Sequence, residues 1–171
     1  MKRVGIIAVF MLVLLVFSFS DSSAQIGFKG VGGRLGFVSA SGVSTIVFGA
    51  HVNLGEIIPG LVIVPSIDYW SESLLNWLSI NGNVRYYFPT GGNIELFGGG
   101  GLAFNRTSVD IPVIPGFTTG GSVSSTGISL NLMGGADMPL SDNLVGTAMI
   151  MFNTDASQIK IMGGVTYMLG Q

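Results

Sequence analysis

From Thr45 to Leu54 the chain alternates: Ile46, Phe48, Ala50, Val52 and Leu54 fall on one parity, Thr45, Val47, Gly49, His51 and Asn53 on the other. The period of two returns from Leu78, where Leu78, Ile80, Gly82, Val84, Tyr86 and Phe88 oppose Ser79, Asn81, Asn83, Arg85 and Tyr87. It recurs at Ile128, Leu130 and Leu132, and again at Ile159, Ile161, Val165, Tyr167 and Leu169. Strict alternation places each set on one face of a β-strand. Breaks in the pattern predict eight strands, near 26–38, 43–54, 61–71, 77–88, 94–105, 125–138, 144–153 and 158–169. Most have the ~9–11 residues that a tilted strand needs to cross a membrane.

The connections alternate in character. Gly55–Gly60, Pro89–Asn93 and Pro139–Asn143 carry turn chemistry: proline presets φ, glycine supplies positive φ, and Asn or Asp stabilises local turns. The others lie around Ser39–Gly42, Glu72–Asn76, Arg106–Ser124 and Thr154–Ser157, and one of them is long. This is the short-turn, long-loop pattern of an eight-stranded antiparallel up-and-down transmembrane β-barrel with both termini on the periplasmic side. The fold class is therefore all-β.

Composition decides which way the apolar face points. Charged residues make up 9% of the chain, which also holds 27 glycines, whereas soluble domains carry about 25% charge. A soluble barrel would need many charged outward residues, and this chain lacks them. The aliphatic parity is thus expected to face the lipids of a bacterial outer membrane. The opposite parity lines a narrow lumen and carries Arg34, Asp68, Arg85, Glu95, Asp137 and Lys160. Three positive and three negative charges predict a salt-bridged plug, because unpaired charge is costly in a low-dielectric lumen. Arg85 and Glu95 flank one short turn and are expected to be cross-strand neighbours. Aromatics near the strand ends, Tyr86, Phe88 and Tyr167 at one rim and Phe37, Tyr69, Phe104 and Phe152 at the other, fit interfacial belts.

The first 24 residues read as an export signal. Lys2 and Arg3 precede an apolar core from Val4 to Phe17, and Ser22-Ser23-Ala24 supplies a small-residue cleavage site. The expected mature domain is 25–171. Removing Lys2, Arg3 and Asp21 leaves five basic and eight acidic residues with no basic run, which excludes a nucleic-acid partner. There is no cysteine, and hence no disulfide, thiolate metal site or lipoprotein anchor.

The segment Asn83-Val84-Arg85-Tyr86-Tyr87-Phe88-Pro89, the strand Leu96-Phe97-Gly98-Gly99-Gly100-Gly101-Leu102-Ala103 and the run Gly163-Gly164-Val165-Thr166-Tyr167 carry a resemblance. With them the mature chain resembles the small eight-stranded outer-membrane β-barrel proteins, a porin-like group that includes OmpX- and OmpA-type barrels. The resemblance implies a client of the outer-membrane insertion machinery, which reads a terminal aromatic in such barrels. Here the chain closes Tyr167-Met168-Leu169-Gly170-Gln171, with Tyr167 and Leu169 on the lipid parity. The wider class also includes lipid A-modifying enzymes whose catalytic residues lie near the outer leaflet.

No catalytic, cofactor or metal constellation is expected. His51 is the single histidine. It falls on the lumen parity near a periplasmic turn, where a hydrogen-bonding role is favoured over catalysis. The Gly98–Gly101 run mimics a dinucleotide spacing by chance, since no helix follows it. Met133, Met149, Met151, Met162 and Met168 share the lumen face of the last three strands, joined by Val145. They either fill gaps or line a path for small apolar molecules. The apolar loop 106–124 either offers a surface partner a docking site or folds across the mouth. The leading expectation is a structural or surface-interaction barrel with a filled lumen, not an open porin. A narrow transporter for small apolar solutes comes second, and a lipid-modifying enzyme third.

Overall fold

The computed structural model describes residues 26–40, 42–111 and 120–169. The export signal expected at 1–24 lies outside them. The strands are β1 (Gly30–Ala40), β2 (Val43–Asn53), β3 (Glu56–Ile58), β4 (Leu61–Ile63), β5 (Ser66–Glu72), β6 (Leu75–Phe88), β7 (Glu95–Ile111), β8 (Gly121–Ser141), β9 (Leu144–Asn153) and β10 (Gln158–Met168). A 3-10 turn, Asp155–Ser157, precedes β10. All pairings are antiparallel, and β1 pairs with β10 from Gly30↔Met168 to Ser39↔Ile159, which closes the sheet. β4 and β5 are one stave interrupted at Val64-Pro65, since proline has no N–H for the ladder. Val64 N donates to Asn83 O across the gap, at 2.8 Å. The barrel therefore has eight staves, and closure removes every long open edge within its wall.

The two faces are as unlike as the alternation predicts, with the apolar one outward. Ile128 is 75% exposed, Phe37 70% and Ile161 63%, whereas Asp68, Ser79, Gln158 and Lys160 have no exposure. Leu35, Ile46, Phe48, Ile80, Leu102, Leu130 and Leu132 continue the outer girdle. A contiguous apolar girdle with the polar groups sealed inside is unstable in water and is the arrangement required in lipid. The chain is a transmembrane β-barrel.

Three expected connections are built differently. The segment 55–60 is not a simple turn: Glu56–Ile58 pairs with Leu61–Ile63 in a small hairpin, and Gly60 makes the bend with φ of 81°. Pro139 does not end its strand, because β8 runs on to Ser141 through an irregularity in register. Most of the expected loop 106–124 is strand. β7 and β8 stay paired from Glu95↔Asp137 to Ile111↔Gly121, whereas β6 leaves β7 at Leu75↔Val109 and β9 leaves β8 at Asn131↔Asn153. Residues 112–119 of that loop lie outside the described residues.

The alternation does not stop where the hairpin leaves the wall; it inverts. On the outward parity Leu102 and Phe104 give way to Arg106, Ser108 and Asp110, and Leu130 and Ile128 give way to Thr126, Ser124 and Ser122. On the inward parity Ala103 and Asn105 give way, past the pair Thr107↔Ser125, to Val109 and Ile111, with Val123 paired opposite Val109. The change falls between the cross-strand pairs Phe104↔Ile128 and Arg106↔Thr126. Outward side chains are apolar where they meet lipid and polar where they meet water, so this step marks the edge of the girdle.

Candidate functional site

The lumen is filled by three connected groups of side chains. At the end from which the hairpin projects, the rings of Trp70 and Trp77 stack with centroids 5.6 Å apart and planes within 7°. Trp77 Nε1 donates to Ser79 Oγ at 2.9 Å, and Ser79 Oγ donates to Asn105 Oδ1 at 2.7 Å. Asn105 Nδ2 reaches Ser129 Oγ and Asp155 Oδ2, and Ser129 Oγ donates to Asn153 Oδ1. Asn153 Nδ2 donates to Asn131 Oδ1, and Asn131 Nδ2 to Asn81 and Asn83. A short amide side chain both donates and accepts, so asparagines on β6, β8 and β9 can satisfy one another across the lumen.

The second group is ionic. Asp68 carries two cations: Arg34 Nε donates to Oδ1 at 2.8 Å, with Arg34 Nη2 at 2.5 Å, and Lys160 Nζ lies 3.3 Å from Oδ2. Ser66 Oγ accepts from Arg34, and Asn81 Nδ2 donates to Asp68 Oδ2. The close fit has a backbone cause. A Cβ added at Gly49, the residue opposite both Arg34 and Asp68, would collide with the Asp68 carboxylate. Buried charges of this kind are tolerated only when their partners hold them with hydrogen bonds.

The third group lies toward the end that carries the described chain termini. The Arg85 guanidinium stands 4.5 Å above the Phe97 ring and 3.7 Å from Asp137 Oδ2. Tyr87 Oη donates to the same carboxylate oxygen at 2.7 Å. Beneath them opens a cavity of about 310 Å³ lined by His51, Glu56, Arg85, Glu95 and Asp137 among others. The His51 Nε2 contact is with Thr166 Oγ1, at 2.8 Å.

The six charges thus sort into two ionic groups and one outlier. Arg34, Asp68 and Lys160 form one group, and Arg85 with Asp137 the other. The expected Arg85–Glu95 cross-strand pair is not present, although both residues line the cavity. The β6–β7 turn pairs Phe88 with Leu96, so Arg85 faces Gly99 and Glu95 faces Asp137. Glu95 keeps the inward parity but stands exposed at the rim. Of the methionines, Met133, Met149, Met151 and Met162 are buried together against Trp70, Trp77 and Phe97, and Met168 lines the cavity at the mouth. The asparagine ladder and the tryptophan stack were not singled out from sequence. Their signal was there in Asn81, Asn83, Asn131 and Trp77, all on the parity opposite the aliphatic residues. Among the described residues no three His, Cys, Asp or Glu side chains converge to hold a metal ion.

No protein-family model matches the sequence, and no curated protein matches it. Solved structures do match. Neisserial surface protein A superposes with a TM-score of 0.64 at 18% identity, covering 87% of this chain and 100% of that one. The N-terminal β-barrel domain of Pseudomonas aeruginosa OprF gives 0.61 at 11% identity over 84% and 99%. The attachment invasion locus protein Ail of Yersinia pestis gives 0.53 at 15% identity over 86% and 100%. The fold is that of the small bacterial outer-membrane β-barrels.

Proposed function

We propose that the chain resides in a bacterial outer membrane, after removal of residues 1–24, as a barrel of structural or surface-interaction type with a lumen filled by side chains. The observation that carries this reading is the β7–β8 hairpin. It rises beyond its neighbours, wears a polar outer face, and among the described residues carries β8 past Asn131, where its ladder with β9 ends and the remaining contacts on that side are Ser129 with Asn153, Leu130 with Thr154, and the Asp155–Ser157 turn. An unpaired strand edge held in water is a surface that extended segments of other proteins can join. The hairpin end faces outward and the chain termini face the periplasm, as short turns and long loops are arranged in such barrels. The Ail neighbour has also been crystallised with the heparin analogue sucrose octasulfate. This hairpin offers one arginine, Arg106, among serines, threonines and Asp110, so its chemistry is hydroxyl-rich rather than polycationic.

The filled lumen supports a non-porin reading, since Trp70, Gln158, Lys160 and Met151 are nearly or wholly inaccessible inside it. The buried methionines support the competing reading, a narrow path for small apolar solutes, to the extent that their flexible side chains can part. An enzymatic reading has less support: His51 meets Thr166 on one nitrogen and no carboxylate on the other, and a serine-hydrolase relay requires one there. The purified barrel in planar bilayers is expected to give no conductance steps and no uptake of small apolar solutes into vesicles. Steady conductance would overturn the filled lumen, and uptake would favour the transporter. Protease added to intact cells should cut within the hairpin and spare the barrel wall.

A further inference from the structure

Among the described residues six buried side-chain atoms lack a hydrogen-bond partner, and three of the six belong to residues that line the cavity at the termini end. Arg85 Nε is a fixed donor, Asp137 Oδ1 a fixed acceptor, and His51 Nδ1 serves as either according to tautomer. These residues are 3%, 7% and 3% exposed. Buried orphan groups of this kind are costly unless something polar meets them.

The charge arrangement is also unbalanced. Glu95 and Asp137 are directly opposed across β7 and β8, on the inward parity, where like charges face to face are unfavourable. Glu56 adds a third carboxylate at the cavity, and Arg85 is its one permanent cation. Arg85 already shares Asp137 with Tyr87, and among the described residues Glu56 and Glu95 form no ion pair. The volume of about 310 Å³ lies at the small end of the ~300–1,000 Å³ range of ligand sites.

We propose that this cavity binds a basic α-amino acid: the ligand's ammonium groups answer Asp137, Glu95 and Glu56, and its carboxylate pairs with the Arg85 guanidinium. A simple anion would have to pass two free carboxylates to reach one guanidinium. A simple amine would leave the Arg85 donor unanswered. A zwitterion with an additional cation matches both the orphan atoms and the excess negative charge. The site opens at the end opposite the hairpin, so it is independent of any surface partner.

The test is an NMR titration of the isotopically labelled full barrel in lipid nanodiscs with L-lysine. The Arg85 side-chain Nε–H resonance and the amides of Tyr87 and Thr166 should shift saturably, while the Arg34 side chain stays in place. L-Glutamate and cadaverine, which lack the net positive charge or the carboxylate respectively, should each bind at least about tenfold more weakly. Asp137→Asn should weaken lysine by about tenfold, the worth of one charge-assisted hydrogen bond. Glu95→Gln, at the exposed rim and outside the buried pairs, should weaken it a few-fold with the spectrum otherwise unchanged. This variant decides the matter if Asp137→Asn fails to fold. Absence of a saturable shift would overturn the proposal. So would equal binding of glutamate or cadaverine, or lysine binding indifferent to Glu95→Gln.

Discussion

One carboxylate bears most of the ionic load of the lumen. Asp68 answers both Arg34 and Lys160, and none of the three is exposed beyond 5%. That trio holds two cations for one anion, so its members are not equivalent. Asp68→Asn leaves both cations without their counter-charge and should cost ~3–5 kcal/mol. Lys160→Met removes the surplus cation and puts a similar volume beside Met151, its cross-strand partner. It should be neutral or stabilising, as apolar replacement of buried charge often is. Urea unfolding of the two variants in the same lipid measures the difference; equal losses would show that the three charges act as a single unit. The presence of these side chains on the inward face was legible from their parity. Their pairing was not, because which charges meet across the lumen depends on strand stagger, which alternation alone does not set.

At the scale of the strand, the glycine-rich run of β7 is a packing device. Gly99 and Gly101 face inward, and a Cβ on either would strike the backbone of β6, at Val84 O and Gly82 O respectively. Gly82 faces outward with nothing within 4 Å of its virtual Cβ. Gly101→Ala should therefore destabilise the barrel by about 1–3 kcal/mol, the usual cost of forcing atoms into a filled space. Gly82→Ala should stay within about 0.5 kcal/mol of the parent protein. If the two variants unfold at the same urea concentration, close approach is not the reason for glycine there. The strands themselves were legible because lipid on one side and a sealed lumen on the other enforce alternation. The extension of β7 and β8 was not, because Arg106, Ser108 and Asp110 look like loop when outward residues are expected to be apolar. They are strand residues that have left the girdle. For the same reason, the step between Phe104 and Arg106 could have been read as a boundary of environment rather than an end of structure.

At the scale of the whole molecule, the two tryptophans report the inside-out arrangement. Trp70 and Trp77 are 1% and 5% exposed and stack within the lumen, although tryptophan in membrane proteins is enriched at the lipid interface. Brominated acyl chains should therefore quench little of the folded barrel's fluorescence, and water-soluble quenchers little more. Strong quenching by brominated lipid would place the rings on the outer surface and invert the assignment of the two faces. Closure, stave number and the outward apolar face could all be anticipated from the chain. The division of the lumen into an amide ladder, an ionic centre and an open mouth could not, since residues from six or more staves meet there and no local pattern encodes their mutual height.

The polarity step on β7 also sets a dimension. From Ile94 to Phe104 the outward residues are apolar or glycine, and at ~3.3 Å per residue and a tilt near 40° that stretch spans about 25 Å along the bilayer normal. Most bilayers have hydrocarbon cores of about 30 Å. Lipids around this stave must shorten or splay their chains to meet it, so the protein carries a local thinning of its membrane with it. Such a mismatch acts as a sorting force: the barrel should insert faster into short-chain than into long-chain vesicles and gather where the surrounding leaflet is already thin.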